Sequence, residues 1–258
     1  VTIASDPLLE ARDLSIGVGR GAAARLLVER LDLRLEQGAR CALLGQNGSG
    51  KSSLLLALAG LRAPLGGTIR LAGRPLAEVP RRERARRMGV LLQDGDPEFW
   101  GSTLEFVLLG RYPHSGGALA NDAAELARAQ ALIGELDLDA HAEQAYRTLS
   151  GGERQRARLA QLFLQDPAVL LLDEPLSHLD LKHQQIAMAA LARRAAQGAA
   201  IIMALHEPQW AARHCDSVVL MYDFHHVEQG SVATLLTRGN LERLYDCELD
   251  AMQVPAAR

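Results

Sequence analysis

The chain has 258 residues, 48% of them apolar, and its 28 Lys and Arg stand against 31 Asp and Glu for a formal net charge of −3. That length fits one α/β unit carrying an insertion, and the near-neutral balance removes any bulk electrostatic drive toward nucleic acid or anionic lipid, leaving only local patches. Cys41, Cys215 and Cys247 form no C-x-x-C pair, which argues against a disulfide framework or zinc site; the longest apolar runs, 168–172 and 199–205, fall far short of the ~20 residues of a membrane span, and no secretory leader pattern opens the sequence.

In chain order, segments 8–16, 25–35 and 68–71 alternate apolar and polar residues, which predicts short strands of a small antiparallel layer. Residues 40–44 are mostly apolar and predict a buried parallel strand; residues 51–59, rich in Leu and Ala, predict a helix that Gly60 stops. Between strand and helix lie Gly45, Gln46, Asn47, Gly48, Ser49, Gly50, Lys51 and Ser52, which match G-x-x-x-x-G-K-[ST] at every fixed position, followed by Ser53. Glycines let successive N–H groups turn inward around a β-phosphate, and the helix N-terminus adds partial positive charge behind them. Lys51 is then the group that reaches the β- and γ-phosphates and Ser52 the one that meets Mg²⁺, so this segment implies that the chain binds a nucleoside triphosphate.

The run Arg81-Arg82-Glu83-Arg84-Ala85-Arg86-Arg87 reads as one solvated helix face; no aromatic residue interleaves it, so a base-stacking surface is unsupported. Residues 93–150 carry Ala/Leu/Glu-rich stretches without strand signals and predict a helical insertion, with a capping box at Asp122 and Glu125 and a core stripe at Leu126, Ala129, Leu132, Ile133 and Leu136. Ser150 and Glu153 form a second capping box, and Gly151 and Gly152 expose N–H groups at a helix start that can hold a phosphate. Residues 169–172 form an apolar strand that delivers Asp173 and Glu174 at its C-terminal end, where an open α/β sheet places ligands. Asp173 suits Mg²⁺, and Glu174 suits a general base that polarises or orients the attacking water. Apolar residues on both strand faces predict a mostly parallel sheet covered by helices. The pair His225-His226 has no third ligand at sensible spacing.

Leu149-Ser150-Gly151-Gly152-Glu153-Arg154-Gln155-Arg156 resembles the signature sequence of ABC transporter ATPases, and the resemblance spans nearly the whole chain. It implies an α/β P-loop NTPase fold of the ABC type, with a mostly parallel sheet core, a small antiparallel β layer and a helical subdomain insertion. One domain is expected over 1–258: a nucleotide-binding core at 1–92 and 166–230, a helical subdomain at 93–165 and a tail at 231–258. The implied substrate and cofactor are ATP and Mg²⁺. In that family two copies pack head to tail, so Ser150, Gly151, Gly152 and Glu153 close over the ATP of the other copy. Gln93 matches the glutamine that touches Mg²⁺ and the attacking water, Asp180 in Ser177-His178-Leu179-Asp180 matches the aspartate that crosses the dimer interface, and His206 matches the histidine that contacts the γ-phosphate.

The chain departs from the family where an aromatic residue commonly stacks on adenine: Val18 stands there, with Arg20 as a substitute, which predicts modest selectivity for ATP over GTP. One phosphate loop and no fused span imply a peripheral subunit on the cytoplasmic face of the inner or plasma membrane. Its implied partners are integral permease subunits and, indirectly, a periplasmic or extracellular substrate-binding protein, with no nucleic acid. Residues 94–103, including Phe99 and Trp100, are expected to meet the permease. Leu109-Gly110-Arg111-Tyr112-Pro113-His114 resembles a stretch of ATPases from importers of iron-siderophore complexes, haem and cobalamin, as do 176–184 and 232–245; the last two lean toward cobalamin. The alternatives are an exporter ATPase and a soluble ABC-type ATPase acting on nucleic acid or ribosomes, the latter disfavoured by the single compact cassette.

Overall fold

A computed structural model of the chain describes residues 6–19, 25–93, 98–115, 123–222 and 225–249. The elements run β1 (Leu9–Val18), β2 (Arg25–Leu35), β3 (Arg40–Gly45), α1 (Lys51–Leu58), β4 (Gly66–Leu71), β5 (Arg74–Pro75), α2 (Arg81–Arg87) and β6 (Met88–Leu91). There follow α3 (Thr103–Leu108), α4 (Ala123–Glu135), α5 (Gly151–Gln165), β7 (Val169–Asp173), α6 (Leu181–Ala196), β8 (Ala200–Ala204), α7 (Pro208–His214), β9 (Ser217–Met221), β10 (Val227–Ser231), α8 (Val232–Leu235) and α9 (Arg238–Tyr245). Two sheets form. One is antiparallel in the order β2-β1-β4-β5; the other runs β10-β9-β3-β8-β7-β6 and is parallel except for the edge strand β10.

The parallel strands read as unbroken apolar runs because both faces are covered, and successive side chains divide between two cores. Cys41, Leu43, Val169, Leu171, Ile202 and Val219 point to the face packed against α1 and the antiparallel sheet, with Leu54, Leu58, Leu14 and Ile16. Their neighbours Ala42, Leu44, Leu170, Leu172, Ile201 and Leu220 point to the opposite face, where α5, α6 and α7 supply Leu159, Leu162, Leu191 and Trp210. Each fully buried Leu or Ile contributes on the order of 1.5–3 kcal/mol. β10, half exposed along most of its length, closes the edge.

In the helical stretch Phe106 stacks on Tyr146 with ring centroids 3.9 Å apart, and Phe99 meets Phe106 edge-on at 5.6 Å. The expected aromatic pair therefore divides: Phe99 packs on the core, whereas Trp100 is 74% exposed under the Arg147 guanidinium. On α4, Ala129 and Ile133 are buried but Leu126 is exposed; its expected cap, Asp122, lies outside the described residues. The basic run is helix α2 with no buried residue, yet it is tied down: Arg82 and Arg86 donate to the Pro113 carbonyl, and Arg84 to that of Gly60. Among the described residues no helix is long and apolar enough to cross a membrane.

Candidate active site

The loop from β3 to α1 takes its shape from its glycines. A Cβ on Gly45 would sit 2.5 Å from the Met221 carbonyl oxygen and 2.7 Å from Ser49 Oγ, so the loop leaves β3 where only a hydrogen fits. Gly50, at the N-cap of α1, has φ 104°, in the left-handed region that favours glycine. No side chain caps α1, which leaves its first N–H groups for a ligand. Lys51 is buried, and its Nζ donates to the carbonyls of Gly45 at 2.7 Å and Gln46 at 3.0 Å. Burial pulls its pKa below the ordinary lysine value, against the opposing charges of Glu174 and Asp173.

At the end of β7, Asp173 is buried and its Oδ1 has no hydrogen-bond partner. Burial pushes its pKa above the ordinary aspartate value, opposed by a bond with Ser52 and the positive charge of Lys51. Glu174 follows with φ 51°, a left-handed conformation uncommon for a side-chain-bearing residue and characteristic of functional turns. Its two carboxylate oxygens face His206 Nε2 at 2.6 Å and Gln93 Nε2 at 2.9 Å. Glu174 is held from behind as well: its N–H donates to the Ala204 carbonyl, and the buried Gln155 of α5 donates to the carbonyls of Glu174 and Pro175 at 3.2 and 3.1 Å.

A cavity of about 560 Å³ opens beside these groups, and the buried Asp173 is not among the residues that line it. Of the residues expected in the site, the cavity brings together Asn47, Gly48, Gly50, Lys51, Ser52, Ser53, Gln93, Glu174 and His206, and Val18 lines it too. Ser53 also accepts a hydrogen bond from Arg62 at 3.0 Å. Gly45, Gln46 and Ser49 shape the loop instead: Gln46 donates to the Leu244 carbonyl of α9 at 3.2 Å, and Ser49 Oγ is buried without a partner. Ser150, Gly151, Gly152, Glu153 and Asp180 lie outside the cavity. Ser150 and Glu153 form the complete capping box of α5, while Asp180 caps α6 by accepting from the His183 N–H at 2.9 Å. The two segments touch each other: a Cβ on Gly152 would stand 2.8 Å from the His178 carbonyl oxygen. Arg20 lies outside the described residues.

The orphaned Asp173 oxygen beside Ser52 fits a hard cation. Among the described residues no group of three or more His, Cys, Asp or Glu stands ready to hold a metal; the oxygens at hand are the Asp173 carboxylate and the Ser52 hydroxyl, with Gln93 beside them. Oxygen donors of this kind suit Mg²⁺ better than zinc. His226 pairs with Glu228 at 3.2 Å.

Sequence reasoning missed Arg25, Leu27 and Gln155. Arg25 and Leu27 line the cavity from β2, with no motif to mark them. Gln155 carried a signal, since Gln155, Leu159 and Leu162 fall at helical spacing on the buried face of α5.

Comparison with known proteins brings three findings. Residues 28–177 match the family model described as ABC transporter. The hemin import ATP-binding protein HmuV of Myxococcus xanthus is 38% identical over 256 residues, which covers 96% of this chain and 94% of that protein; its namesake from Gloeobacter violaceus is 41% identical over 215 residues, 80% of this chain and 77% of that protein. A solved structure of a metal-chelate type ABC transporter in an inward-facing conformation superposes with a TM-score of 0.78 at 28% identity, covering 93% of this chain and 89% of that one.

Proposed function

The chain belongs to the ABC transporter family and is an ATPase, and from that premise we propose that it energises a membrane importer whose cargo is haem. The observation that carries this reading is the 38% identity over 96% of the chain with a protein named for hemin import. Within the group of siderophore, haem and cobalamin importers, haem is preferred because that likeness runs almost end to end, whereas the lean toward cobalamin rests on two short stretches and draws no support from the relatives' names. The chain sits, in this reading, on the cytoplasmic face of the membrane against permease subunits, and the exposed Trp100 belongs to that contact.

The proposed chemistry assigns each group one task. N–H groups of the phosphate loop and of α1 hold the β-phosphate, and Lys51 leaves the Gly45 and Gln46 carbonyls for the β- and γ-phosphate oxygens. Asp173, Ser52 and Gln93 are the residues that would hold Mg²⁺, which supplies charge neutralisation at the phosphates. Glu174 takes up the proton of the attacking water. His206 and Gln93, already bonded to its two oxygens, orient that carboxylate, and His206 faces the γ-phosphate. Ser150, Gly151, Gly152, Glu153 and Asp180 serve the site of a second copy, in keeping with their position outside the cavity of their own chain.

The test is purification of the tagged chain from detergent-solubilised membranes, with mass spectrometry of its companions, followed by ATPase assays of the recovered complex. A multispan permease with a binding protein whose haem-loaded form accelerates hydrolysis supports the reading. Stimulation by cobalamin alone, or recovery of ribosomes or RNA in place of a permease, overturns it.

A further inference from the structure

The lining of the cavity divides by element. Lys51, Ser52, Gln93, Glu174 and His206, groups suited to phosphates and a metal, come from the phosphate loop, α1 and the turns after β6, β7 and β8; Val18, Arg25 and Leu27 come from β1 and β2 of the antiparallel sheet. With the last phosphate of a triphosphate among Gln93, Glu174 and His206, the β1 and β2 residues are the part of the lining left for the nucleoside. That wall is built into the fold. Val18 and Arg25 are cross-strand partners on β1 and β2, and Leu27 leans on the phosphate loop, its Cβ 3.1 Å from where a Cβ of Gly50 would stand.

A purine gains affinity from a planar partner on its face, and among the described residues no aromatic ring lines this cavity. Val18 is 46% exposed and presents only two methyl groups. Arg25 is the residue of this wall with a planar group. It is exposed at the cavity wall and, among the described residues, no carboxylate or other side chain engages its guanidinium. A guanidinium is planar, delocalised and weakly hydrated, and it stacks on π faces where an ammonium does not.

We propose that Arg25 is the base-binding residue of this site, its guanidinium stacked on the purine of bound ATP, with Val18 and Leu27 closing on the nucleoside beside it. Stacking engages the face of the base and not its edges, so ATP and GTP gain alike. The inference rests on the reading that this cavity holds ATP, and a ligand with phosphates but no base separates the two.

The experiment is calorimetric titration of the full chain, wild type and variants, with Mg²⁺-ATP, Mg²⁺-GTP and Mg²⁺-tripolyphosphate. Arg25→Ala is expected to weaken ATP and GTP binding about tenfold, in line with a stacked cation. Arg25→Lys recovers little, tripolyphosphate binds all three proteins equally, and adding Val18→Tyr to Arg25→Ala restores ATP affinity. In steady-state assays Arg25→Ala raises KM and leaves kcat unchanged. Wild-type ATP affinity in Arg25→Ala overturns the inference. So does an equal loss of tripolyphosphate binding, which makes Arg25 a phosphate contact, and so does full recovery in Arg25→Lys, which makes charge rather than shape the source. If the wild type binds neither ATP nor tripolyphosphate, the assignment of the cavity itself falls.

Discussion

Replacing Glu174 by Gln removes a charge and one acceptor while keeping the shape of the side chain. In the native site the two oxygens face His206 Nε2 at 2.6 Å and Gln93 Nε2 at 2.9 Å. A glutamine keeps its oxygen toward one neighbour and turns its amide nitrogen to the other, so the loss amounts to about one exchanged hydrogen bond, roughly 0.5–1.5 kcal/mol. At about 2–4 °C per kcal/mol for a chain of this size, the melting temperature falls by only a few degrees. Catalysis is affected far more, because a positioned general base contributes about 10²- to 10⁴-fold, or roughly 3–5 kcal/mol of barrier. The expected outcome is phosphate release slowed by that factor at saturating Mg²⁺-ATP, with ATP affinity retained and an ATP-bound dimer persisting in light scattering. Hydrolysis within about threefold of wild type would refute the assignment of Glu174 as base.

Three further perturbations test the fold around the site. Gly45→Ala drives a methyl group to 2.5 Å from the Met221 carbonyl oxygen; overpacking of this kind costs about 1–3 kcal/mol, so both the melting temperature and ATP affinity should drop, and a variant unchanged in both would show that the loop yields freely. Gln46→Leu cuts the bond to Leu244 at 3.2 Å that ties the phosphate loop to α9; a loss of about 1 kcal/mol should appear as faster amide exchange in α9 and ATP binding weakened a few-fold, and unaltered exchange would mean the tie is idle. Glu135→Gln tests a pH effect. Burial pushes the Glu135 carboxyl up, but bonds from Arg194 and Arg193 together hold it below its ordinary value of 4.5, so it stabilises the fold above that value and the contribution is lost as pH falls through the lowered folded value. The variant should be less stable by about 1–2 kcal/mol near neutral pH, with the gap closing as the medium becomes more acidic than pH 4.5; a gap constant across that range would remove the ion pair from the account.

What the sequence determined by itself is local. The phosphate loop is legible because eight consecutive residues carry its geometry, and β3, β7 and β8 are legible because strands covered on both faces must be apolar throughout. The capping box of Ser150 and Glu153 is equally local, and it forms as its spacing predicts. Edge strand β10 escaped notice because Val-Glu-Gln-Gly-Ser is half solvated and lacks that pattern. Tertiary structure alone decided which distant groups meet. Gln93, Glu174 and His206 come from three stretches of chain, and only the side-by-side order of β6, β7 and β8 sets their tips together. Arg25 reaches the cavity because β2 lies against the loop, where Leu27 meets Gly50, and Gln46 meets Leu244, 198 residues away, because α9 returns to the same end of the sheet. Hydrophobic period and glycine spacing govern neighbours a few residues apart. Contacts across the sheet depend on strand order, which no short stretch of sequence encodes.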